Sequence, residues 1–146
     1  EEFASFNWQD EPPDPRLEET FNESLLQWHL LKKEPYQTMF RYYKMMIALR
    51  KTAPALKYPD RRQLKAEART DDNVLFVHRW CDEQDIICLM NFSGRQYTAT
   101  LNSACTWNKL ADSASPMWKG PETAPDNVND VVTLQPESIL IYEKHK

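Results

Sequence analysis

Long hydrophobic runs are missing from this 146-residue chain. None approaches the ~18–20 apolar residues that a membrane-spanning helix needs. The opening, EEFASFNWQDEPP, is acidic and does not follow the charged-then-apolar layout of a signal peptide. It also has no initiator Met, so we expect a piece of a longer protein. A basic run or face is absent as well. The net charge is −4, with nine acidic against three basic side chains in residues 1–34 and thirteen against fifteen in the rest. Nothing there grips phosphates, so neither nucleic acid nor a membrane is expected as a partner. Cysteine is scarce and odd in number, with Cys81, Cys88 and Cys105 and no CxxC spacing. His29, His78 and His145 do not complete the four clustered ligands of a zinc site, and no metal or cofactor is expected. The cysteines read as small buried thiols of a cytoplasmic protein. Cys81 and Cys88 flank a hairpin turn and can share a face, which leaves a disulfide open without calling for one. Nucleophile elbow, phosphate loop, internal repeat and low-complexity tract are all lacking.

What the chain does have is one commanding helix. PYQTMFRYYKMMIALRKT, from Pro35 to Thr52, places Gln37, Arg41, Lys44, Ala48 and Lys51 on one narrow arc of a helical wheel. Met39, Phe40, Tyr42, Tyr43, Met45, Met46, Ile47 and Leu49 cover roughly 220° of the remainder by the same stepping. A helix packed on one core needs a stripe of about 100° or a little more. This helix is expected to be covered from two sides. Pro35 suits the first helical position, Arg50 and Lys51 suit the C-terminal turn, and Pro54 is expected to stop it.

Around that helix the chain changes character. Residues 1–34 read as an irregular lead-in broken by Pro12, Pro13 and Pro15, with a short helix expected over Glu23 to Leu31 capped by Asn22. Beyond about Arg62 the pattern is β. Strands are expected at Gln63 to Arg69, Val74 to Cys81, Ile86 to Phe92, Tyr97 to Leu101, Trp107 to Ala111, Val131 to Gln135 and Ser138 to Lys144. Ile86 to Phe92 is apolar on both faces, as in a central strand. Ser113 to Asp130 is a Pro-rich excursion. The expected fold is mainly β, an antiparallel sandwich preceded by the lead-in and one long α-helix.

Several landmarks follow one another in a familiar order. They are EEFASFNW (Glu1 to Trp8), PPDP (Pro12 to Pro15), TFNESLLQW (Thr20 to Trp28), YYKMMIALRKTAPAL (Tyr42 to Leu56) and a strand ending in Asn91-Phe92-Ser93. Together they resemble the C-terminal end of the malto-oligosyltrehalose trehalohydrolases, a family of the α-amylase superfamily of glycoside hydrolases. The resemblance spans nearly the whole chain. It implies that residues 1–56 are the end of a (β/α)8 catalytic barrel, the loop after strand eight plus the final helix, and that residues 57–146 are the C-terminal β-sandwich domain. It further implies a parent that releases trehalose by hydrolysing the adjacent α-1,4-glucosidic bond of a malto-oligosaccharide substrate. The family's catalytic carboxylates come from strands that precede this sequence, so no catalytic residue is carried over. The rest of the barrel is the implied partner, with self-association through Pro35–Thr52 expected in its absence.

The chain's own chemistry is sparse. Glycoside hydrolysis needs two carboxyl groups held about 5–10 Å apart on rigid elements. Asp10, Glu11 and Asp14 sit on a proline-rich loop and read as solvated charges. Carbohydrate contact is the more open role, since a tryptophan offers a flat apolar face with a polar edge. Trp8 is the first candidate, because the resemblance puts its loop on the active-site side of the barrel. Trp118, in SPMWKGPE, is the ring expected to be most exposed, and either meets sugar or pins its loop. Trp28 is expected to anchor the lead-in, Trp80 to sit in core or rim, and His78 to be a hydrogen-bonded structural histidine. A stand-alone carbohydrate-binding or interaction module, or the end of a glucan branching or debranching enzyme, are the alternative readings.

Overall fold

A computed structural model of the chain describes residues 14–58, 60–82, 84–101 and 105–145. Among them the order is α1 (Glu18–Ser24), a 3-10 turn (Trp28–Lys32), α2 (Tyr36–Thr52) and α3 (Pro54–Lys57). Eight strands follow among the described residues: β1 (Leu64–Arg69), β2 (Val74–Trp80), β3 (Gln84–Asn91), β4 (Tyr97–Thr100), β5 (Trp107–Asp112), β6 (Asn127–Val128), β7 (Val131–Leu134) and β8 (Ser138–His145). They form a six-stranded sheet in the order β1-β2-β3-β8-β5-β6 and a two-stranded ribbon of β4 and β7. Every pair is antiparallel.

Side-chain alternation explains why the large sheet needs two covers. Register pairs Val77 with Cys88 and Cys88 with Ile141, so these side chains share one face. On that side Ile86, Cys88, Ala111 and Ile141 pack with Ala53 and Ala55 and with Met45, Met46 and Leu49 of α2. The opposite face carries Phe76, Leu89, Leu140 and Tyr142, packed with Ala99, Val132 and Leu134 of the ribbon and with Trp107 and Val128. The result has three layers, with helices, large sheet and ribbon in that order. Burial in the helix-side core pushes the Cys88 thiol up to about 11, only partly offset by Arg79. Burial likewise pushes the Tyr142 phenol up to about 12, while its hydroxyl donates to the Pro125 carbonyl at 2.9 Å.

The mainly-β class, the lead-in and the long helix are as expected, and the strand positions shift by a residue or two. Four local expectations are corrected. The lead-in helix begins at Glu18, not Glu23, because Glu18 and Glu19 occupy its first turn, where carboxylates suit the helix dipole. Leu25 then turns extended, and Trp28–Lys32 is a separate 3-10 turn. Pro35 precedes α2 at its N-cap, and Pro54 both stops α2 and starts α3, in keeping with its missing N–H. The two-residue β6 was hidden inside the Pro-rich excursion. Cys81 and Cys88 do lie toward one face, but Cys88 pairs with Val77, four residues along β2 from Cys81. At ~3.3 Å per residue that is about 13 Å, beyond the ~7 Å limit between the α-carbons of a disulfide.

Buried polar side chains tie the loops to this frame. Asn91 donates to the carbonyls of Arg95 at 2.8 Å and Gln135 at 2.9 Å, and accepts from the Ser93 amide and hydroxyl. Asp112 accepts from the amides of Ala114 and Ala124 at 2.9 and 2.8 Å, closing the base of the excursion. Gln84 accepts from the Ala55 amide and donates to Glu143, linking α3 to the sheet. Gly120 answers a different need, because a β-carbon there would lie 2.1 Å from the Ala114 carbonyl oxygen.

Two substitutions test this frame. Asn91→Ala removes the buried side chain that ties the Arg95 and Gln135 carbonyls and the Ser93 amide to the sheet, and is expected to lower unfolding stability by about 1–3 kcal/mol in a denaturant titration. Gly120→Ala forces backbone apart and is expected to cost a similar ~1–3 kcal/mol, with a change in Trp118 emission as the excursion shifts.

Candidate functional site

The first surface of interest is the far side of α2. Thr38, Tyr42, Met45, Met46 and Leu49 form the stripe turned toward the protein. Tyr36, Met39, Phe40, Tyr43 and Ile47 make a second stripe at the same helical spacing, centred roughly 130° round the axis. Its members are exposed, with Met39 at 57%, Tyr43 at 60% and Ile47 at 53%. The 3-10 turn lies against α2 and leaves Trp28 70% exposed. Leu17, Phe21, Leu25 and Leu26 extend the same apolar character along the lead-in. Monomeric proteins rarely expose contiguous apolar patches beyond a few hundred Å². This surface has the composition of an interface.

Beside it, the excursion is fastened to α2. Trp118 is half-buried, not an open platform, and meets the Tyr42 ring edge-on with centroids 5.4 Å apart. Lys119, next in sequence, reaches Glu34 at 2.8 Å. Glu34 also accepts from the Thr38 hydroxyl, and the Lys119 and Thr38 contacts hold its carboxyl below the usual carboxylate range. A shallow cavity of about 320 Å³ lies here between Thr38, Tyr42, Ser113 and Trp118. The Tyr42 contact ties the Trp118 ring to α2. Trp8, Asp10 and Glu11 lie outside the described residues. Asp14 pairs with Arg16, whose backbone and side-chain hydrogen bonds lower its pKa.

A third feature lies on the opposite face of the large sheet, where the ribbon stops short of β1. Sequence reasoning did not find it, because its walls come from β1, β2, β3, β5 and β8. It is an open cleft of about 420 Å³. Lys65, Glu67 and Arg69 project from β1 along one rim, with Lys144 opposite and Thr100 at the end of the ribbon. Phe76, Ile87, Leu101 and Trp107 supply apolar surface. Arg69 stacks on Phe76 at 4.8 Å while bonding Glu67 at 3.1 Å and the Tyr97 hydroxyl at 2.6 Å. Lys144 lies 4.9 Å from the Trp107 ring and 3.5 Å from Asp85. His78 approaches Asp85 at 3.9 Å and packs near Trp80 and Trp107, in keeping with a structural histidine. Trp107 is only 4% exposed, and its indole N–H meets no acceptor among the described residues. A buried donor left so costs about 1–3 kcal/mol.

Among the described residues no cluster of His, Cys, Asp or Glu could hold a metal ion. Among them also, no helix is long and apolar enough to cross a membrane.

Comparison with known proteins adds the fold's kinship. No family model and no curated protein sequence matches the chain. Solved structures do. Isomaltulose synthase (PalI) from Klebsiella sp. LX3 matches 77% of this chain at a TM-score of 0.58 and 23% identity. The trehalulose synthase MutB from Pseudomonas mesoacidophila MX-45 matches 73% at 0.52 and 22% identity. The matched parts are 19% and 18% of those chains, so this sequence spans about a fifth of their length. At these identities the likeness to both is one of fold alone.

Proposed function

We propose that this chain is the C-terminal portion of an α-amylase-superfamily glycoside hydrolase of the trehalohydrolase type, and that its task there is structural. In this reading residues 1–56 complete the catalytic barrel and residues 57–146 form the β domain that follows it. The observation that carries it is the double stripe of α2. One stripe is seated on the sheet, and the other, from Tyr36 to Ile47, is bare. A barrel preceding this sequence would cover the second stripe, as the fold neighbours' much greater length supports.

The reaction assigned to the whole enzyme is hydrolysis of the α-1,4 bond beside the trehalose unit of malto-oligosyltrehalose, in the cytoplasm. The ordered motifs from Glu1 to Ser93 support that choice within the superfamily. Both catalytic carboxylates would come from the barrel, and this chain would add Trp8, on the loop at the cleft side, as a sugar contact. Trp118 is assigned a lesser contact at the outer edge of the excursion, beyond the ring edge held by Tyr42.

The complete protein is therefore expected to release trehalose from maltotriosyl trehalose, while the 146-residue chain alone releases none. Release by the short chain would overturn the assignment of catalysis to the barrel. Without that barrel, the bare stripe is expected to drive self-association. Multi-angle light scattering should give a dimer or larger species for the isolated chain. Tyr43→Glu with Ile47→Glu should return it to a monomer with the β domain still folded. A wild-type chain that is cleanly monomeric would show that the stripe is no seam.

A further inference from the structure

We propose that the edge strand β1 pairs antiparallel with β1 of a second copy of this chain, joining the two large sheets across a two-fold axis at Ala66. β1 ends the strand order, its far edge meets no strand among the described residues, and Leu64 to Arg69 are all exposed. A free edge presents a row of backbone donors and acceptors that suits another strand. Charged side chains ordinarily blunt such an edge. On β1 the charges select a partner instead, because Lys65, Glu67 and Arg69 share one face with the acid in the middle.

Antiparallel geometry allows few registers. Residues directly opposite must both turn their backbone groups toward the partner strand or both turn them away. A strand pairing with its own copy therefore centres on a residue, never between two. Centring on Glu67 sets Glu67 against itself and Lys65 against Arg69, and centring on Lys65 sets Lys65 against itself. Like charges so opposed are destabilising. Centring on Ala68 overlaps only residues 67–69, because β1 stops at Arg69. Centring on Ala66 overlaps residues 64–68 and sets Lys65 against Glu67 of the second copy on both sides of the axis. Leu64 then faces Ala68 on the other side of the sheet, and Arg69 meets the uncharged Gln63. The charged groups are available for this. Arg69 reaches Glu67 through Oε1, which leaves Oε2 for an ammonium. Lys65 holds no ion pair among the described residues. A contact made by one short strand from each copy falls below ~1,200 Å² and belongs with weak, transient pairs. The dilute chain stays unpaired at this edge, and pairing sets in as its concentration nears the millimolar range.

The test uses the Tyr43→Glu, Ile47→Glu variant, which closes the route through α2 and leaves the functional reading above untouched. Sedimentation equilibrium of that variant is expected to give a monomer–dimer equilibrium with a Kd of roughly 0.1–1 mM. Backbone amide shifts in two-dimensional NMR should move with concentration along residues 64–68 and not along α2. Adding Lys65→Glu, or adding Glu67→Lys, sets only like charges against each other and should weaken the dimer by about tenfold or more. Both positions are exposed, and dispersed amide spectra check that each variant is folded. Mixing the two variants sets unlike charges opposite again and should return the Kd to within about threefold of the parent variant. A parent variant still monomeric at about 3 mM would overturn the proposal. So would concentration-dependent shifts centred away from β1, or a mixture that associates no more tightly than its components.

Discussion

Two neighbouring strands in the middle of the large sheet, β3 and β8, are apolar on both faces, and such a sheet has to be covered twice. Everything else in the chain follows from how the two covers are supplied. Ile86, Cys88 and Ile141 face one way, and Leu89, Leu140 and Tyr142 face the other. The ribbon of β4 and β7 provides one cover from within the β region. The second must come from outside it, and α2 with α3 provides it. Ala53 and Ala55 are small enough to let the turn between these helices approach the sheet, and Gln84 fixes the distance by accepting from the Ala55 amide. Burying a large aliphatic side chain is worth about 1.5–3 kcal/mol, so this docking commits α2 firmly to the sheet.

That commitment determines what is left over. A helix that merely capped a sheet would turn polar residues outward, as Arg41, Lys44 and Lys51 do on one narrow arc. The remaining arc carries Met39, Phe40, Tyr43 and Ile47 in the open. Among the described residues 14–34 the lead-in leaves them exposed, and its own Leu26 and Trp28 are as bare. Solvating so many large apolar groups is unfavourable at each one. The same groups become the driving force once a complementary surface is present. The ion pair of Glu34 with Lys119 and the Tyr42–Trp118 contact keep α2 aligned with the excursion, so the bare stripe is presented on a rigid element.

Much of this could be read in the sequence, and the limits have physical causes. The width of the apolar arc on Pro35–Thr52 announced two covers because helical periodicity is local. The run Ile86 to Phe92 announced a central strand for the same reason. The short lead-in helix was misplaced because LLQW offers an apolar spacing that competes with the acidic first turn at Glu18. Trp118 was expected in the open because nothing local shows that Gly120 and Lys119 fold its ring onto Tyr42. The cleft was invisible for a stronger reason. Glu67 and Trp107 are forty residues apart in sequence, and they line one cleft only in the folded sheet, from strands β1 and β5. A non-local strand order leaves no trace in a window of local pattern.

The same strand order keeps the two surfaces apart. The bare stripe lies on the helix side and the cleft on the ribbon side, with one hydrogen-bonded sheet between them. Face-to-face layers in such folds sit about 10 Å apart, and close-packed interiors resist continuous deformation. The bare stripe on α2 and the cleft rim on β1 share no side chains, so substitutions at one should add to those at the other. A domain held by its helix face to a larger enzyme would keep its opposite face in solvent. In that arrangement Lys65, Glu67 and Arg69 would stay accessible while Tyr43 and Ile47 would be covered. A single sheet, covered once by its own ribbon and once by a helix with a spare face, thus serves as a fixed wall with two independent sides.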